Sequence, residues 1–252
     1  MIELHNGDCL EIMSEIADNS VDMILCDLPY GVLNKTNGNA KWDTVIPFEK
    51  LWKHYERIIK ENGAIVLFGS GIFTARLMLS NEKLWRYNLI WKKGNRPTGF
   101  LNANRQPLRL HEDICVFYKK QPTYNPQYTI GEKSHNKGGA GNGKSKQARN
   151  GCYGEFISTP TIKTNLKHPV SIVDIPKEHP QTYHPTQKPV ALCEYLIKTY
   201  TNEGNVVLDN CMGSGSVGVA CANTNRSFIG IELDKNYFEI AKSRIETVSV
   251  KE

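Results

Sequence analysis

Residues 21–31 read Val-Asp-Met-Ile-Leu-Cys-Asp-Leu-Pro-Tyr-Gly, and this stretch decides the fold. The apolar run from Val21 to Cys26 predicts a short buried strand. It ends at Asp27 and Pro29, and a proline cannot continue a central strand. A carboxylate and the ring of Tyr30 therefore follow the carboxyl end of a strand, the edge at which open α/β sheets bind ligands. A simple strand-ending turn would have the same residues, so the function depends on the rest of the chain.

Strands and helices alternate on both sides of this stretch. Strands are predicted at residues 2–5, 21–26, 64–68, 87–91, 114–118, 206–208 and 228–231. Helices are predicted at residues 9–16, 47–60, 72–79, 190–200, 217–223 and 236–245, with Asn62-Gly63 stopping the second of them. The alternation predicts an α/β protein, with a mostly parallel sheet covered by helices on both faces. The polar residues 31–46 predict a mobile loop beside Asp27.

The positive charge is concentrated in the middle of the chain. The net charge is +5, yet residues 86–170 contain 15 Lys or Arg and four Asp or Glu. The alternation also stops there, so residues 93–183 are predicted to be a basic insertion with a flexible loop near 131–154. A basic region in an acidic scaffold favours a polyanionic partner, nucleic acid first, although a solvated surface would have the same charge.

The composition argues against several other classes. At 252 residues the chain fits one large domain or one domain with an insertion. It shows neither an apolar run of membrane-spanning length nor a basic and apolar leader, so no membrane partner is expected. The seven cysteines include no C-x-x-C pair, which argues against a zinc site and favours a reduced, cytoplasmic protein.

A glycine-rich turn lies near the C-terminus. Gly213, Gly215 and Gly218 match G-x-G-x-x-G, between a predicted strand and a predicted helix. Asp209 directly precedes this turn and suits a positive amino group better than a pyrophosphate. Glu232, at the end of the next strand, is placed to accept ribose hydroxyls. Because one strand and one helix follow the turn, the remaining strands must come from the N-terminal part, which predicts a permuted sheet.

Four segments in this order identify a family. They are Asn6-Gly7-Asp8-Cys9, Asp27-Leu28-Pro29-Tyr30, His184-Pro185-Thr186-Gln187-Lys188-Pro189, and Asp209 to Gly215. The chain resembles the S-adenosylmethionine-dependent DNA amino-methyltransferases of the β arrangement, with their G-D-C/A, D-P-P-Y, H-P-[ST]-x-K-P and D-P-F-x-G-S-G elements. Leu28, Asn210 and Cys211 depart from those patterns.

The resemblance implies a Rossmann-like methyltransferase fold with a circularly permuted sheet. Residues 1–92 and 184–252 would form the catalytic and cofactor-binding domain, and residues 93–183 the target-recognition region. S-adenosylmethionine would be the cofactor and double-stranded DNA the partner. The sequence does not decide whether the protein forms a homodimer, whether it has a restriction-endonuclease partner, or which DNA sequence it recognises.

The resemblance also assigns roles to residues. The Asp27 carboxylate and the Leu28 carbonyl would accept hydrogen bonds from the target amino group, Pro29 would hold the turn rigid, and Tyr30 would stack on a flipped base. The residues expected to bind the cofactor are Asp8 and Cys9 at the adenine, Thr186 and Lys188 at the carboxylate, Asp209, Gly213, Gly215 and Ser216 at the methionine and sugar, Glu232 at the ribose, and Asp27 at the shared site. No metal is expected.

Four functions remain in order of preference. An initial aspartate favours adenine N6 as the target, because the cytosine-N4 enzymes more often have serine there. Cytosine-N4 methylation is the alternative within the family. An NAD-dependent oxidoreductase ranks lower, since it would leave Asp27 to Tyr30 and the basic region without a purpose. A non-catalytic DNA-binding module ranks lowest, because the catalytic and glycine motifs are intact.

Overall fold

The computed structural model describes residues 1–32, 43–95, 97–131, 165–177, 183 and 186–249. Most of the loop predicted at 31–46 and nearly all of the loop predicted at 131–154 lie outside the described residues. His184 and Pro185 of the predicted family motif lie outside them as well.

A mixed sheet of eight strands forms the centre of the fold. The strands in the described ranges are β1 (Ile2–Asn6), β2 (Val21–Cys26), β3 (Ile59–Gly69), β4 (Trp85–Lys92), β5 (His111–Phe117), β6 (Thr129–Ile130), β7 (Leu166–Lys167), β8 (Ile172–Asp174), β9 (Val206–Asp209) and β10 (Ser227–Glu232). The sheet order is β1-β10-β9-β2-β3-β5-β4-β8, and β6 pairs separately with β7. β5 is antiparallel to both β3 and β4, and the other neighbours in the sheet are parallel.

Six α-helices accompany these strands in the described part of the chain. They are α1 (Cys9–Glu15), α2 (Phe48–Ile58), α3 (Ile72–Ser80), α4 (Val190–Tyr200), α5 (Ser216–Asn223) and α6 (Lys235–Ser249). A 3-10 turn spans Phe100–Asn102. The predicted α/β class with a mostly parallel sheet is confirmed, whereas the circular permutation and the insertion remain predictions. Within the described ranges, no helix has the length and apolar character needed to cross a membrane.

The sheet is buried on both faces because its central strands are apolar at successive positions. Met23 and Leu25 of β2 belong to one core cluster, while Ile24 and Cys26 belong to the other. The first cluster contains side chains of α4, α5 and α6, and the second those of α1, α2 and α3. Continuous apolar runs are typical of parallel strands covered on both sides.

The junction of α2 and β3 corrects one prediction. The helix ends at Ile58 instead of Lys60, and Asn62-Gly63 lie inside β3 instead of stopping the helix. Buried Ile59 already pairs with Val21 as a strand residue. A Cβ on Gly63 would lie 2.8 Å from the Asp22 carbonyl oxygen, so this glycine permits the close approach of β2.

Two compact units divide the chain. One contains residues 1–125 and 170–252, and the other residues 126–169. β5 lies within the interval 93–183 yet belongs to the central sheet, where its residues pair with β3 and β4. Since β3 and β4 are both antiparallel to β5, β4 runs in the same direction as β3. The carboxyl ends of β2, β3, β4, β9 and β10 therefore share one edge of the sheet.

Candidate active site

The shared strand edge brings the predicted catalytic and cofactor motifs together. Asp27 follows β2, Asp209 ends β9 and Glu232 ends β10. β9 lies between β2 and β10 in the sheet, so the three acids follow three successive strands. Topology alone thus explains why residues far apart in sequence can serve one site.

Asp27 is held by a contact at each carboxylate oxygen. Tyr30 Oη donates to Asp27 Oδ1 at 2.8 Å, and Lys188 Nζ donates to Oδ2. The Tyr30 ring stacks on Phe73 with centroids 4.5 Å apart. Burial raises the pKa of Asp27 above its ordinary value, against the opposing charge of Lys188. The Leu28 side chain is buried, which leaves its backbone as the group that can serve the site.

Lys188 and Glu112 extend this contact into a chain of charges. Lys188 Nζ lies 3.2 Å from Glu112 Oε2, and Lys93 Nζ lies 2.5 Å from Glu112 Oε1. The side chains of Lys93 and Lys188 are only 5% and 8% exposed, so water screens these charges little. Burial disfavours the charge on Lys188, but Asp27 and Glu112 outweigh it and raise the pKa of Lys188. Burial likewise opposes ionisation of Glu112, and the two lysines outweigh it and lower the pKa of Glu112.

The sequence interpretation missed Glu112 and gave Lys188 a different partner. Lys188 contacts Asp27, the predicted catalytic residue, whereas the family resemblance assigns Lys188 to the cofactor carboxylate. The ammonium also lies 4.9 Å from the centroid of the Phe68 ring, a cation–π contact at the end of β3. The predicted cofactor role of Lys188 therefore stays a prediction, and the contact with Asp27 is an additional finding.

The segment that contains Lys188 also clamps the glycine turn. Gln187 Oε1 accepts hydrogen bonds from Ser214 Oγ at 3.0 Å and from the Tyr183 backbone N–H at 3.1 Å. The Arg244 guanidinium donates to the Ser214 carbonyl and lies 4.9 Å from the Tyr183 ring centroid. Gln187 and Lys188, which are adjacent in the chain, thus contact the glycine turn and Asp27, respectively. Gln187 was not among the predicted site residues.

The glycine turn is fixed from its other side by Glu232. Glu232 Oε2 accepts from the Gly213 backbone N–H and Oε1 from the Asp234 backbone N–H, each at 2.8 Å. Gly213 and Gly215 have φ values of 51° and 80°, in the left-handed region that favours glycine. A Cβ on Gly215 would lie 2.9 Å from Ala241 Cβ, so this glycine also permits the close packing of α6.

Asp209 and Ser216, on either side of the glycine turn, have the donor and acceptor groups of a ligand site. Asp209 is 3% exposed, and burial raises its pKa to about 7. Its Oδ1 accepts from the Cys211 backbone N–H at 3.1 Å. The Ser216 hydroxyl, at the start of α5, is buried without a hydrogen-bond partner among the described residues. A cationic ligand group would stabilise the charged form of the buried acid, and a ligand hydroxyl could pair with the buried Ser216 hydroxyl. These groups beside the left-handed glycine turn therefore fit a ligand that has an amino group and hydroxyls.

Comparison with known proteins identifies the family. Residues 21–243 match the model of the N6/N4 methyltransferase family, described as DNA methylase. The chain belongs to this family of DNA methylases. The match confirms the resemblance inferred from the four sequence segments.

Curated relatives and solved structures agree with this assignment. The methylase is 27% identical to the type II methyltransferase M2.MboI of Moraxella bovis, over 98% of this chain and 88% of the relative. It is 28% identical to M.HpaI of Haemophilus parainfluenzae, over 96% and 73%. Among solved structures, an M1.HpyAVI–SAM complex is 28% identical, with a TM-score of 0.61 over 97% of this chain and 100% of that one. The cytosine-N4-specific PvuII DNA methyltransferase has the same fold, at a TM-score of 0.65 over 99% and 90% but 16% identity.

Two of the remaining predicted cofactor residues of the methylase, Asp8 and Cys9, lie at the start of α1. The exposed Asp8 caps α1, since its Oδ1 accepts from the Leu10 backbone N–H at 2.8 Å. Cys9 begins α1, and a hydrogen bond with Cys211 lowers the pKa of Cys9. That contact places Cys9 beside the residues that follow Asp209. Thr186 is exposed at the start of the segment that contains Gln187 and Lys188.

Proposed function

We propose that this DNA methylase transfers a methyl group to the N6 amino group of an adenine flipped out of double-stranded DNA. DNA amino-methylation follows from family membership. The observation that supports the site is Asp27, a carboxylate at the carboxyl edge of the sheet, one strand away from the glycine turn. The proposal adds the adenine target, the duplex substrate and base flipping.

Asp27 would act on the amino group through its charge and its position. An exocyclic amine on a base is a poor nucleophile because its lone pair is delocalised into the ring. If the Asp27 carboxylate and the Leu28 carbonyl each accept one N–H, the nitrogen is drawn toward tetrahedral geometry and its lone pair is freed. The nitrogen–methyl bond would form as the sulfur–methyl bond of the sulfonium donor breaks, with that bonding pair left on sulfur. The surplus proton on nitrogen would pass to Asp27 or to water. The raised pKa of Asp27 favours its acceptance of that proton.

S-adenosylmethionine is the cofactor, and when bound it supplies an electrophilic sulfonium methyl group. Asp209 would hold its ammonium group, the Ser216 hydroxyl and the Gly213 turn its methionine and sugar portion, and Glu232 the ribose hydroxyls. Both Glu232 oxygens already accept a backbone N–H, which fixes the carboxylate while leaving lone pairs for further donors. The protein's task is then to align nitrogen with methyl carbon, and the clamp at Gln187 and Ser214 supports that alignment.

Double-stranded DNA is the proposed partner on grounds of charge. Residues 86–170 combine 15 basic with four acidic side chains, in a chain whose remainder is acidic. Phosphate neutralisation by such a region supplies sequence-independent affinity. The predicted target-recognition role of residues 93–183 rests on this charge.

The target base and the recognition sequence can be identified in one experiment. We expect DNA from a methylation-deficient host that expresses the protein to contain N6-methyladenine at a defined sequence. Methylome sequencing locates the sites, and mass spectrometry of the digested nucleosides identifies the product. The Asp27→Ala protein in the same host is the control. N4-methylcytosine as the product would replace the adenine assignment, and the absence of both would overturn the proposed function.

Cofactor affinity should depend on pH through Asp209. An ammonium group favours the carboxylate form, but the acid is largely protonated below its pKa of about 7. Binding must then release a proton, so we expect the dissociation constant for S-adenosylmethionine to rise by about tenfold per pH unit below pH 7 and to level off above it. Isothermal titration calorimetry at several pH values from about 5.5 to about 8, on both sides of the pKa of Asp209, measures this slope.

The matched variant is Asp209→Asn, which keeps the acceptor for the Cys211 backbone N–H. It should bind the cofactor more weakly at pH 8, with a reduced dependence on pH. An unchanged slope in this variant would assign the titration to another group, such as Glu232, whose pKa is also raised by burial.

A further inference from the structure

Residues 94–110 connect two strands whose flanking residues, Lys93 and Glu112, belong to the charge network around Asp27. This loop connects β4 to β5 at the strand edge where Asp27 lies. Lys93 and Glu112, which flank the loop, form an ion pair at 2.5 Å. Glu112 contacts Lys188, and Lys188 contacts Asp27. The base of the loop is therefore part of the charge network of the active site.

The described part of this loop is internally ordered. The Lys93 backbone N–H donates to the Leu110 carbonyl at 3.0 Å, and Thr98 and Arg109 exchange backbone hydrogen bonds at 2.8 and 2.9 Å. The Arg109 guanidinium donates to Ser70 Oγ at 2.7 Å, which attaches the loop to the turn after β3. The 3-10 turn Phe100–Asn102 forms the tip. The tip is thus presented on a hydrogen-bonded scaffold.

Two adjacent apolar side chains stand at that tip. Phe100 is 67% exposed and Leu101 is 100% exposed, the largest value among the large hydrophobic residues described. The surrounding residues 94–110 contain three arginines, at 96, 105 and 109, and no Asp or Glu. Exposed apolar residues in a basic, acid-free loop fit a partner that combines phosphates with an apolar interior, and double-stranded DNA has both.

We propose that Phe100 and Leu101 form a wedge that enters the duplex beside the target base and favours its extrusion toward Asp27. The inference rests on the proposed function, since it supplies a step that the function requires. Apolar side chains that insert between neighbouring base pairs unstack those base pairs, and basic residues beside the wedge would bind the DNA backbone during insertion. The ion pair at the base of the loop links the wedge to the network that holds Asp27.

The test compares a paired with an unpaired target base. The substrate is a duplex oligonucleotide with the sequence found by methylome sequencing, in which the target base faces either its normal partner or an abasic site. For the double variant Phe100→Ser and Leu101→Ser, we expect kcat/KM on the paired duplex to fall at least about tenfold, and to return to within about threefold of wild type on the unpaired one. An additional readout is 2-aminopurine at the target position, whose fluorescence should rise on binding to the wild type and rise less with the variant.

The matched control is Leu79→Ser, a leucine 67% exposed on α3 and outside the charge network. It should leave both rates unchanged. S-adenosylmethionine affinity and thermal melting of the double variant verify that it is folded.

Each other outcome has a distinct meaning. Equal losses on both duplexes would overturn the wedge and make the tip a general DNA contact. Unchanged rates of the double variant would overturn the wedge as well. If the double variant also loses self-association in a sedimentation experiment, the loop tip contacts a second copy of the chain instead of DNA. If the wild-type protein methylates neither duplex, both the proposed function and the wedge are wrong. If the wild type methylates both duplexes and the double variant has the same rates, only the wedge is wrong.

Discussion

Asp27→Ala should lower methyl transfer by at least about a thousandfold, because in the proposed mechanism this carboxylate would accept the target N–H and the surplus proton. DNA affinity should stay within about threefold of wild type, since the basic residues proposed to neutralise phosphates lie elsewhere in the chain. Single-turnover assays with tritiated cofactor measure the transfer, and a fluorescence-anisotropy titration measures the DNA affinity.

A second substitution separates the roles of shape and charge. Asp27→Asn keeps a carbonyl-type acceptor for one N–H, so it should recover part of the lost rate. Asp18→Asn is the control, because this acid is 67% exposed and contacts Arg57 far from the strand edge. Retention of more than about a tenth of the wild-type rate by Asp27→Ala would contradict the assignment, since that corresponds to only about 1.4 kcal/mol of barrier.

The sequence predicts those features that depend on short segments. The apolar run of β2 and the turn that follows place Asp27 at a strand edge whatever the rest of the fold does. The glycine turn is recognisable for the same reason, because its backbone conformation restricts the residues at Gly213 and Gly215. Motif order then predicts that the two segments meet, and the adjacency of β2 and β9 brings them together.

The missed features depend on contacts between distant segments. Lys188 and Asp27 are 161 positions apart, and nothing local distinguishes a lysine paired with buried carboxylates from one in solvent. In the sequence, Glu112 looks like any acidic residue at the start of a strand. Only the folded sheet brings it into contact with Lys93 and Lys188. The helix stop predicted at Asn62-Gly63 is wrong because the local signal is the same for a helix end and for a strand that needs close packing.

Lys188→Met should lower methyl transfer by about a hundredfold at pH 7, roughly 2.7 kcal/mol of barrier. Burial raises the pKa of Asp27, and Lys188 is the main opposing influence. Without its ammonium, the pKa of Asp27 rises further, and a larger fraction of the acid is protonated at neutral pH. A protonated carboxyl is a poor acceptor for the target amino group. The acid limb of the kcat/KM profile should therefore move to higher pH, and Lys188→Arg should restore part of both rate and profile.

The same substitution should reduce stability in a pH-dependent way. Removal of one partner from a buried ion pair typically costs about 3–5 kcal/mol, and the loss here should lie near the lower end because Glu112 keeps Lys93. Protonation of Asp27 neutralises the stranded charge, so the stability gap between wild type and variant should narrow as the pH falls. Thermal melting across the pH range measures this gap. Lys198→Met is the matched control, because this lysine side chain is 46% exposed on α4 and its ion pair with Glu194 lies at the surface.

Cofactor affinity decides between the two roles of Lys188. If the residue acts through Asp27, the variant binds S-adenosylmethionine within about threefold of wild type at pH 8, while its pH–rate profile shifts. If instead the residue binds the cofactor carboxylate, the dissociation constant rises and the profile on saturating cofactor keeps its wild-type shape. The second result would return Lys188 to the role that the family motif implies. It would not require the contact with Asp27 to break, because an ammonium has three N–H donors and Lys188 already contacts both Asp27 and Glu112.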